Sequence, residues 1–323
     1  MYDQRDAQKI VQGHRIDETE PTMLFVGVST SKSFVQRVFP EWTRIIGHKA
    51  RLQGIDLEIN SGKTAYQQLA DTVKANKKIL GALVTSHKAN LFEHAAEVFE
   101  EIGPNALALR EICAIYKIAG KLACEATDPL AVQQVLNRLT PQGYWHKTAA
   151  NALILGAGGA GVALAYSLLS KGEDSPSRIL ITEVNPARVD SARAILSPFD
   201  SNRRLQVIQV DGSFADGLLA CQPEGSLIVN ATGMGKDRPG SPISAEVQFP
   251  RNSIAWEFNY RGDLQFIQIA RSQVKQRGVI IEDGWFYFVC GWAYVMSKVF
   301  NFVPNELILS RFTAAVEAIR NEP

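Results

Sequence analysis

A glycine-rich turn near the middle of the chain constrains the fold more than any other feature. The apolar run 151–155 leads directly into GAGGAG, Gly156–Gly161, and the helix-like stretch VALAYSLLS follows. The first glycine allows a tight turn out of a strand, Gly158 lets backbone N–H groups approach a phosphate, and Gly161 lets the helix pack on the strand. The N-terminus of that helix then faces the phosphate charge. The pattern predicts a βαβ unit that binds a dinucleotide.

The next predicted strand ends in an acid that bears on which dinucleotide is bound. Residues 178–182 form a second apolar run and are followed by Glu183, about 20 residues beyond the last glycine. A carboxylate at this place meets a ribose 2′-OH and repels a 2′-phosphate, so NAD is favoured over NADP. Arg188, one turn further along, is the residue that would reach a phosphate instead. From this part of the chain we expect the cofactor to be bound by Gly156, Gly158, Gly159, Ala160, Gly161, Glu183, Asn185 and Arg188.

Composition excludes several classes of partner. The 323 residues suffice for two medium domains, and 34 basic against 33 acidic residues give no overall field for nucleic acid or an anionic membrane. Four cysteines without CxxC spacing predict buried thiols in a reducing compartment, with no disulfide framework and no metal site. There is no apolar signal segment, and the longest uncharged stretch, residues 285–296, is shorter than the roughly 20 residues that span a bilayer. We therefore expect a cytoplasmic protein whose partner is a small molecule.

Apolar patterning before and after the glycine turn predicts an α/β fold. Strands are expected at 23–28, 55–59 and 79–85, and an amphipathic helix at 90–101. A helix at 128–139, capped by Asp128 with a proline in its first turn, is the candidate connection between domains. Strands alternating with helices indicate a parallel or mixed sheet covered by helices. The last helices are expected at 285–298 and 305–320.

Several further phrases occur in the order of a known family and cover almost the whole chain. They are SKS at Ser31–Ser33, VTSHK at Val84–Lys88, GKLACEATD at Gly120–Asp128, NATGMG at Asn230–Gly235, and Tyr260 shortly after a strand. Together with the glycine turn they resemble the shikimate dehydrogenase family, which includes quinate dehydrogenases. The resemblance implies an N-terminal α/β substrate domain, a doubly wound Rossmann NAD(P) domain, and a C-terminal helix that returns to the first domain. In this chain that gives a polar leader at 1–20, a substrate domain at 21–129 completed by helices at 286–323, and a dinucleotide domain at 130–285.

The resemblance also implies roles for particular residues. Lys88 would be the catalytic lysine and Asp128 its partner, while Ser31 and Ser33 would hold a substrate carboxylate. The full substrate-binding set is Ser31, Ser33, Thr85, Glu111 and Tyr260, and the loop beside the nicotinamide contributes Asn230, Ala231, Thr232 and Met234.

Physical chemistry supports these roles but leaves alternatives open. A lysine just past an apolar strand can lose hydration and exchange a proton with a substrate hydroxyl, although Lys88 could equally be a solvated lysine and Asp128 a helix cap. Ser31 and Ser33 would share one face of an extended strand, or would belong to an ordinary serine-rich turn. His87 is expected to be structural, because it is adjacent to Lys88 in extended chain and faces the other way.

The chain departs from the family pattern at several substrate contacts. VTSHK is one residue shorter than the family's VTxPxK and lacks its proline. An asparagine that contacts a ring hydroxyl is replaced by the phrase 109–112, and a late glutamine aligns near Gly291. Glu183-Val184 replaces an NADP-type Asn-Arg pair. Arg110 and Glu111 introduce charge that would suit an amine or a second anionic group, or they form a surface ion pair.

These observations predict an oxidoreductase. Hydride would pass between a nicotinamide cofactor, NAD rather than NADP, and the secondary alcohol of a cyclic hydroxy-carboxylate such as quinate or shikimate, in the chemistry of aromatic amino acid biosynthesis. Two alternatives stay open: an NAD-binding sensor that has lost dehydrogenase chemistry, and a dehydrogenase of the aminoshikimate type. The direction of flux and the oligomeric state are also open, a homodimer being one option.

Overall fold

The computed structural model describes residues 10–11, 14–16, 19–59, 61–236 and 238–321. Two compact units are distinguished, Met1–Thr127 with Val289–Pro323, and Asp128–Phe288. Their boundaries fall at 127/128 and 288/289, against the expected 129/130 and 285/286. Most of the expected polar leader, 1–20, lies outside the described residues, within which β1 (Ile10–Val11) pairs with β2 (His14–Arg15).

The helices are interspersed with the strands along the described chain. In chain order they are α1 (Val35–Ile45), α2 (Lys63–Ala75), α3 (Lys88–Ala95), α4 (Pro104–Leu109), α5 (Asp128–Leu139), α6 (Tyr144–Thr148), α7 (Gly159–Leu169), α8 (Pro186–Leu196), α9 (Asp216–Ala220), α10 (Gln265–Ser272), α11 (Val274–Arg277), α12 (Gly284–Phe300) and α13 (Glu306–Arg320).

A mixed six-stranded sheet forms the centre of the first unit. Its strands are β3 (Thr22–Gly27), β4 (Arg51–Asp56), β5 (Ile79–Val84), β6 (Glu101–Ile102), β7 (Ala114–Ile118) and β8 (Lys121–Glu125). Their order is β4-β3-β5-β7-β8-β6, in which β3, β4 and β5 are parallel and β7 is antiparallel to β5 and β8. Every residue of β3 is buried, as expected for a parallel strand covered on both faces.

A fully parallel sheet forms the centre of the second unit. Its strands are β9 (Ala152–Leu155), β10 (Ile179–Glu183), β11 (Leu205–Gln209), β12 (Leu227–Asn230), β13 (Ile254–Glu257) and β14 (Ile280–Glu282). The order β11-β10-β9-β12-β13-β14 is the doubly wound order 3-2-1-4-5-6. In such a sheet the order reverses between the first and fourth strands, here β9 and β12, and leaves a crevice at their carboxyl ends. The predicted α/β class and the doubly wound unit are confirmed.

The C-terminal helix packs into the core of the first unit, as predicted. Trp42 of α1 stacks on Phe312 of α13, with ring centroids 5.0 Å apart, and its indole Nε1 donates to the Phe312 carbonyl at 3.0 Å. Trp292 of α12 contacts Phe25 of β3 edge-on at 5.1 Å. Aromatic side chains separated by up to 270 residues in sequence thereby close the unit around its sheet.

The structure corrects several local predictions. The helix expected at 90–101 is α3 followed by a 3₁₀ turn at Ala96–Val98, and Glu101 already belongs to a strand. The strand expected at 55–59 is Arg51–Asp56. Cys221 is exposed, whereas the other three cysteines are buried as expected. Among the described residues, no helix is both long and apolar enough to cross a bilayer.

Truncating the C-terminal aromatic anchor should destabilise the first unit. Phe312→Ala removes a fully buried ring and leaves Trp42 without its stacking partner, so the free energy of unfolding should fall by about 3–5 kcal/mol. Leu307→Ala, on the same helix but 59% exposed, is the matched control and should change it by less than about 0.5 kcal/mol. Chemical denaturation measures both values. Equal effects would contradict the assignment of Phe312 to the core.

Candidate functional site

The glycine loop lies at the crevice predicted by the sheet order. Gly156 follows β9 with φ +103°, and a Cβ there would lie 2.8 Å from the Ala231 backbone and 2.9 Å from Thr232 Cα. A Cβ on Gly161 would lie 2.1 Å from the Gly156 carbonyl oxygen. Glycine is therefore required at both positions by close backbone approach. At Gly158, the N-cap of α7, a Cβ would meet nothing within 4 Å, so the approach to the first turn of this helix is open.

Glu183 lies at the carboxyl end of β10 and is bonded to the glycine loop. Its Oε2 accepts from Ala157 N at 3.2 Å, and its Oε1 accepts from Val184 N and Asn185 N at 2.9 and 3.0 Å. Sequence reasoning expected this carboxylate to meet a ribose hydroxyl, and did not foresee these backbone bonds. The carboxyl group is buried beside the glycine loop.

The residues after Glu183 differ in how they are held. Asn185 Oδ1 accepts from Ala187 N at 2.9 Å, so this side chain caps α8. Val184 is 50% exposed and Arg188 is exposed. The exposed residues after the buried carboxylate thus include the apolar Val184 and, on α8, the cationic Arg188.

The loop after β12 is held by a buried carboxylate that sequence reasoning missed. Asn230 and Glu257 are the last residues of β12 and β13, are register partners, and are fully buried. Glu257 Oε2 accepts from Asn230 Nδ2 at 2.7 Å, while Oε1 accepts from Asn259 N at 2.8 Å and Asn259 Nδ2 at 2.6 Å. Burial raises the pKa of Glu257 to about 7, against the opposing effect of these three donors. The available signal was an acid that ends an otherwise apolar strand.

Several candidate substrate residues follow strands of the first sheet at one edge. The carboxyl ends of β3, β4 and β5 meet there because these strands are parallel, and β7 begins and β8 ends beside them. Ser31 and Ser33 follow β3, and Thr85 follows β5. A Cβ on Gly27 would lie 3.0 Å from Thr85 Cγ2, which places this threonine against the end of β3.

Of the two alternatives kept open for the serine pair, the structure shows the turn and not the extended strand, and Asp56 organises this turn. Thr30 donates both its backbone N–H and its hydroxyl to Asp56 Oδ1, at 2.7 and 2.6 Å. Thr30–Lys32 forms a 3₁₀ turn, closed by Ser33 N donating to Thr30 O at 3.1 Å. Ser31 therefore lies within the 3₁₀ turn, and Ser33 follows it with an extended backbone. Ser31 is exposed and Ser33 is half-buried.

Lys88 opens a helix, whereas the sequence reasoning assumed extended chain around it. Ser86 has φ +61°, and His87 N donates to Thr85 O at 2.6 Å, so residues 85–87 form a tight three-residue turn. Lys88 begins α3, is half-buried, and accepts at its carbonyl from Ile112 N at 3.0 Å.

His87 has structural contacts. It is 1% exposed, and its Nδ1 lies 3.0 Å from Tyr66 Oη, which also accepts from Asn90 Nδ2 at 3.3 Å. Burial lowers the pKa of His87, against the opposing effect of nearby backbone carbonyls. A buried neutral imidazole that bonds a tyrosine fits the structural role expected from sequence.

Asp128 and Lys88 belong to different units. Asp128 is the first residue of α5 and is buried at 8% exposure. The chain leading to it is tied to the start of β7, where Cys113 Sγ accepts from Thr127 N at 3.0 Å and lies 3.2 Å from Thr127 Oγ1. The Cys113 thiol thus holds Thr127, the last residue of the first unit's leading segment.

The other candidate substrate residues have different surroundings. Arg110 ends α4 in the left-handed region at φ +53° and is exposed, with its guanidinium 5.9 Å from the Phe92 ring centroid. Glu111 is buried at 5% exposure, so the surface ion pair kept open for these two residues does not describe it. Tyr260 lies in an aromatic cluster of the second unit, 4.5 Å from Phe288 and 4.8 Å from Trp285 between ring centroids. No metal-holding group of His, Cys, Asp and Glu is found among the described residues.

The chain is similar to proteins of one enzyme family. It is 29% identical over 223 residues to the shikimate dehydrogenase (NADP(+)) of Salinibacter ruber, a match that covers 67% of this chain and 73% of that protein. No protein-family model matches the chain.

Solved structures show the same fold at low sequence identity. The quinate dehydrogenase of Corynebacterium glutamicum, in complex with NAD, superposes with a TM-score of 0.73 at 17% identity and covers 93% of this chain and 99% of that one. The shikimate 5-dehydrogenase of Thermus thermophilus, in complex with NADP(H) and shikimate, gives 0.68 at 19% identity, covering 92% and 98%. The structural matches show that the chain has the fold of shikimate and quinate dehydrogenases, and its sequence is similar to that of a shikimate dehydrogenase.

Proposed function

We propose that the chain is an NAD-preferring dehydrogenase that interconverts the secondary alcohol of a cyclic hydroxy-carboxylate of the quinate or shikimate type and the corresponding ketone. The observation that carries this proposal is the close approach of Gly156 to the backbone of Ala231 and Thr232. These two residues follow β12, next to β9, where the strand order reverses. Doubly wound sheets bind dinucleotides at this reversal. The pyrophosphate would lie at the open N-terminus of α7, with Thr232 and Met234 beside the nicotinamide.

The substrate half of the site is proposed from the first sheet. Ser31 and Ser33, with Thr85, would hold the substrate carboxylate at the edge where β3 and β5 end. Lys88 would exchange the carbinol proton at Nζ while Asp128, its partner by resemblance, keeps the ammonium oriented. When bound, the nicotinamide ring supplies hydride transfer. The protein's contribution is then orientation of the alcohol and placement of the proton.

The preference for NAD rests on charge at the end of β10. Glu183 is an acidic residue bonded to the glycine loop, and the next side chain, Val184, has no positive charge to meet a 2′-phosphate. Arg188 is the one cation of this segment selected from the sequence, and it lies on α8 beyond the cap made by Asn185. We therefore assign the ribose side of the site to NAD.

The substrate side differs from the family pattern in ways that favour an analogue of shikimate. Gly291, near which the family's glutamine aligns, lies inside α12, where a Cβ would meet nothing within 4 Å. The space of the missing side chain is thus not filled by a neighbour. The buried carboxylate of Glu111 keeps an amino-substituted ring acid among the candidates. The sensor alternative is disfavoured because a protein without dehydrogenase chemistry has no need of both Lys88 and Asp128.

Removing the proposed proton-exchanging group should abolish turnover without disturbing the cofactor. Lys88→Ala is expected to lower kcat by about 10²–10⁴-fold and to leave the NADH dissociation constant within about twofold of wild type. Absorbance of the reduced cofactor with quinate, shikimate and aminoshikimate measures turnover, and calorimetry measures affinity. Lys77→Ala, at an exposed lysine before β5, is the control and should behave as wild type. Undiminished turnover in Lys88→Ala would contradict the mechanism.

A cation placed after Glu183 should relax the cofactor preference. Val184→Arg offers a guanidinium where a 2′-phosphate would lie, so kcat/KM with NADP should rise about tenfold or more, with a smaller change for NAD. Val303→Arg, at a 76% exposed residue of the first unit, adds the same charge elsewhere and should change neither value. An unchanged NADP-to-NAD ratio in Val184→Arg would refute this placement of the ribose.

A further inference from the structure

A fully buried acid lies one strand away from the proposed cofactor crevice. Glu257 and its register partner Asn230 end adjacent parallel strands, so their side chains leave the sheet on the same side. Phe258 N donates to Asn230 O at 3.1 Å and extends the ladder past both residues. The pair is thereby held at a short, defined separation by the backbone itself.

The carboxylate determines which way two amide groups point. Glu257 accepts Nδ2 of Asn230 on one oxygen, and N and Nδ2 of Asn259 on the other. An ionised carboxylate can only accept, so both amides must present their nitrogen to it. The oxygen of the Asn230 amide is consequently turned away from Glu257 and towards the turn that follows β12.

That oxygen organises the turn. Asn230 Oδ1 accepts from Thr232 N at 3.1 Å and from Thr232 Oγ1 at 2.7 Å, and Thr232 Oγ1 in turn accepts from Met234 N at 3.1 Å. The two amide nitrogens bonded to Glu257 also donate to Met234 O, at 3.3 Å from Asn230 and 3.2 Å from Asn259. The turn between Thr232 and Met234 is therefore bonded at both ends to groups that Glu257 orients.

The same turn forms one wall of the crevice. Its preceding backbone, at Ala231 and Thr232, is so close to Gly156 that a Cβ on this glycine would lie within 2.9 Å of it. A reorientation of the Asn230 amide would set its NH₂ group against Thr232 N–H, and two donors cannot bond each other. The turn would then have to move relative to the glycine loop.

We infer that Glu257 is a positioning residue of the cofactor crevice, which acts through the amides of Asn230 and Asn259 to hold the Thr232–Met234 turn in its binding conformation. Burial of a hydrophobic or neutral residue would cost less free energy, because an unpaired charge in a protein interior is strongly disfavoured. Only a carboxylate accepts all three donors at once. This inference rests on the proposed function, in which the crevice binds a nicotinamide cofactor.

Glu257→Gln is the direct test, with Glu282→Gln as its matched control. Glu282 ends the edge strand β14, is paired in register with Trp256, and also has its pKa raised to about 7 by burial. Both variants thus remove an acid of similar pKa from the same sheet, but only one acts on the turn. At about pH 8.5, above both pKa values, Glu257→Gln should weaken NADH binding by about 10- to 100-fold, while Glu282→Gln should stay within about twofold of wild type. Wild-type affinity in folded Glu257→Gln would overturn the inference.

Exchanging the amide and the carboxyl group between positions 230 and 257 distinguishes the loss of side-chain orientation from a general loss of stability. In the double variant Glu257→Gln with Asn230→Asp, the amide nitrogen introduced on β13 would donate to the carboxylate introduced on β12, whose other oxygen would still accept from Thr232. In the double variant, the decrease in the logarithm of the NADH affinity should be at most about half of the decrease in Glu257→Gln. A double variant that binds no better than Glu257→Gln would overturn the orientation argument.

Hydrogen exchange makes the test independent of the proposed function. The amides of Thr232 and Met234 should exchange at least about tenfold faster in Glu257→Gln than in wild type or Glu282→Gln, with no cofactor present. If wild type and Glu282→Gln both fail to bind NADH, the proposed function is wrong, and the exchange rates still decide whether Glu257 holds the turn. Unchanged exchange would show that it does not.

Discussion

The second unit depends on the close backbone approach between the first glycine of the GAGGAG loop and the turn after β12. Gly156 has φ +103° and lies so close to Ala231 and Thr232 that no other residue fits there. This approach occurs where the strand order reverses, so the sheet topology and the loop chemistry define the same crevice. The bonds from Glu183 to the loop and from Glu257 through Asn230 to the turn stabilise its two walls. Two buried carboxylates, one on each side of β9, therefore maintain a geometry that glycine alone makes possible.

Features carried by short contiguous segments could be predicted from the sequence. The glycine loop, the helix Asp128–Leu139 and the strands β9 to β13 have local signals in glycine spacing, capping residues and apolar runs. The hairpin of β7 and β8 had almost no local sequence signal. The first residue of its two-residue turn is Ala119, at φ +49°, and asparagine or glycine is usual at that position. The partners of Glu257 were also beyond prediction. They depend on the register of β12 against β13, which no residue of either strand reveals by itself.

The substrate side shows the same limit more sharply. The motifs located Ser31, Ser33 and Lys88 but did not define the backbone around them. Ser31 lies in a 3₁₀ turn, Ser33 follows that turn in an extended conformation, and Lys88 begins a helix. Asp56, 26 residues from Thr30 in sequence, closes the serine turn, and the φ of +61° at Ser86 brings Lys88 to the start of a helix. Such turns depend on a partner from another strand or on one unfavourable backbone dihedral angle. The periodicity of apolar residues in the sequence indicates neither. Family resemblance therefore indicated which side chains to consider, while the structure defined how the backbone presents them.

The most direct test of the central claim is a crystal structure of the protein with NAD. The account predicts the pyrophosphate at the N–H groups that open α7, near Gly158 and Gly159, and the nicotinamide ring against Thr232 and Met234. It also predicts that the bonds from Glu257 to Asn230 and Asn259 are preserved. A dinucleotide bound elsewhere, or a crevice that stays empty at saturating NAD, would contradict it.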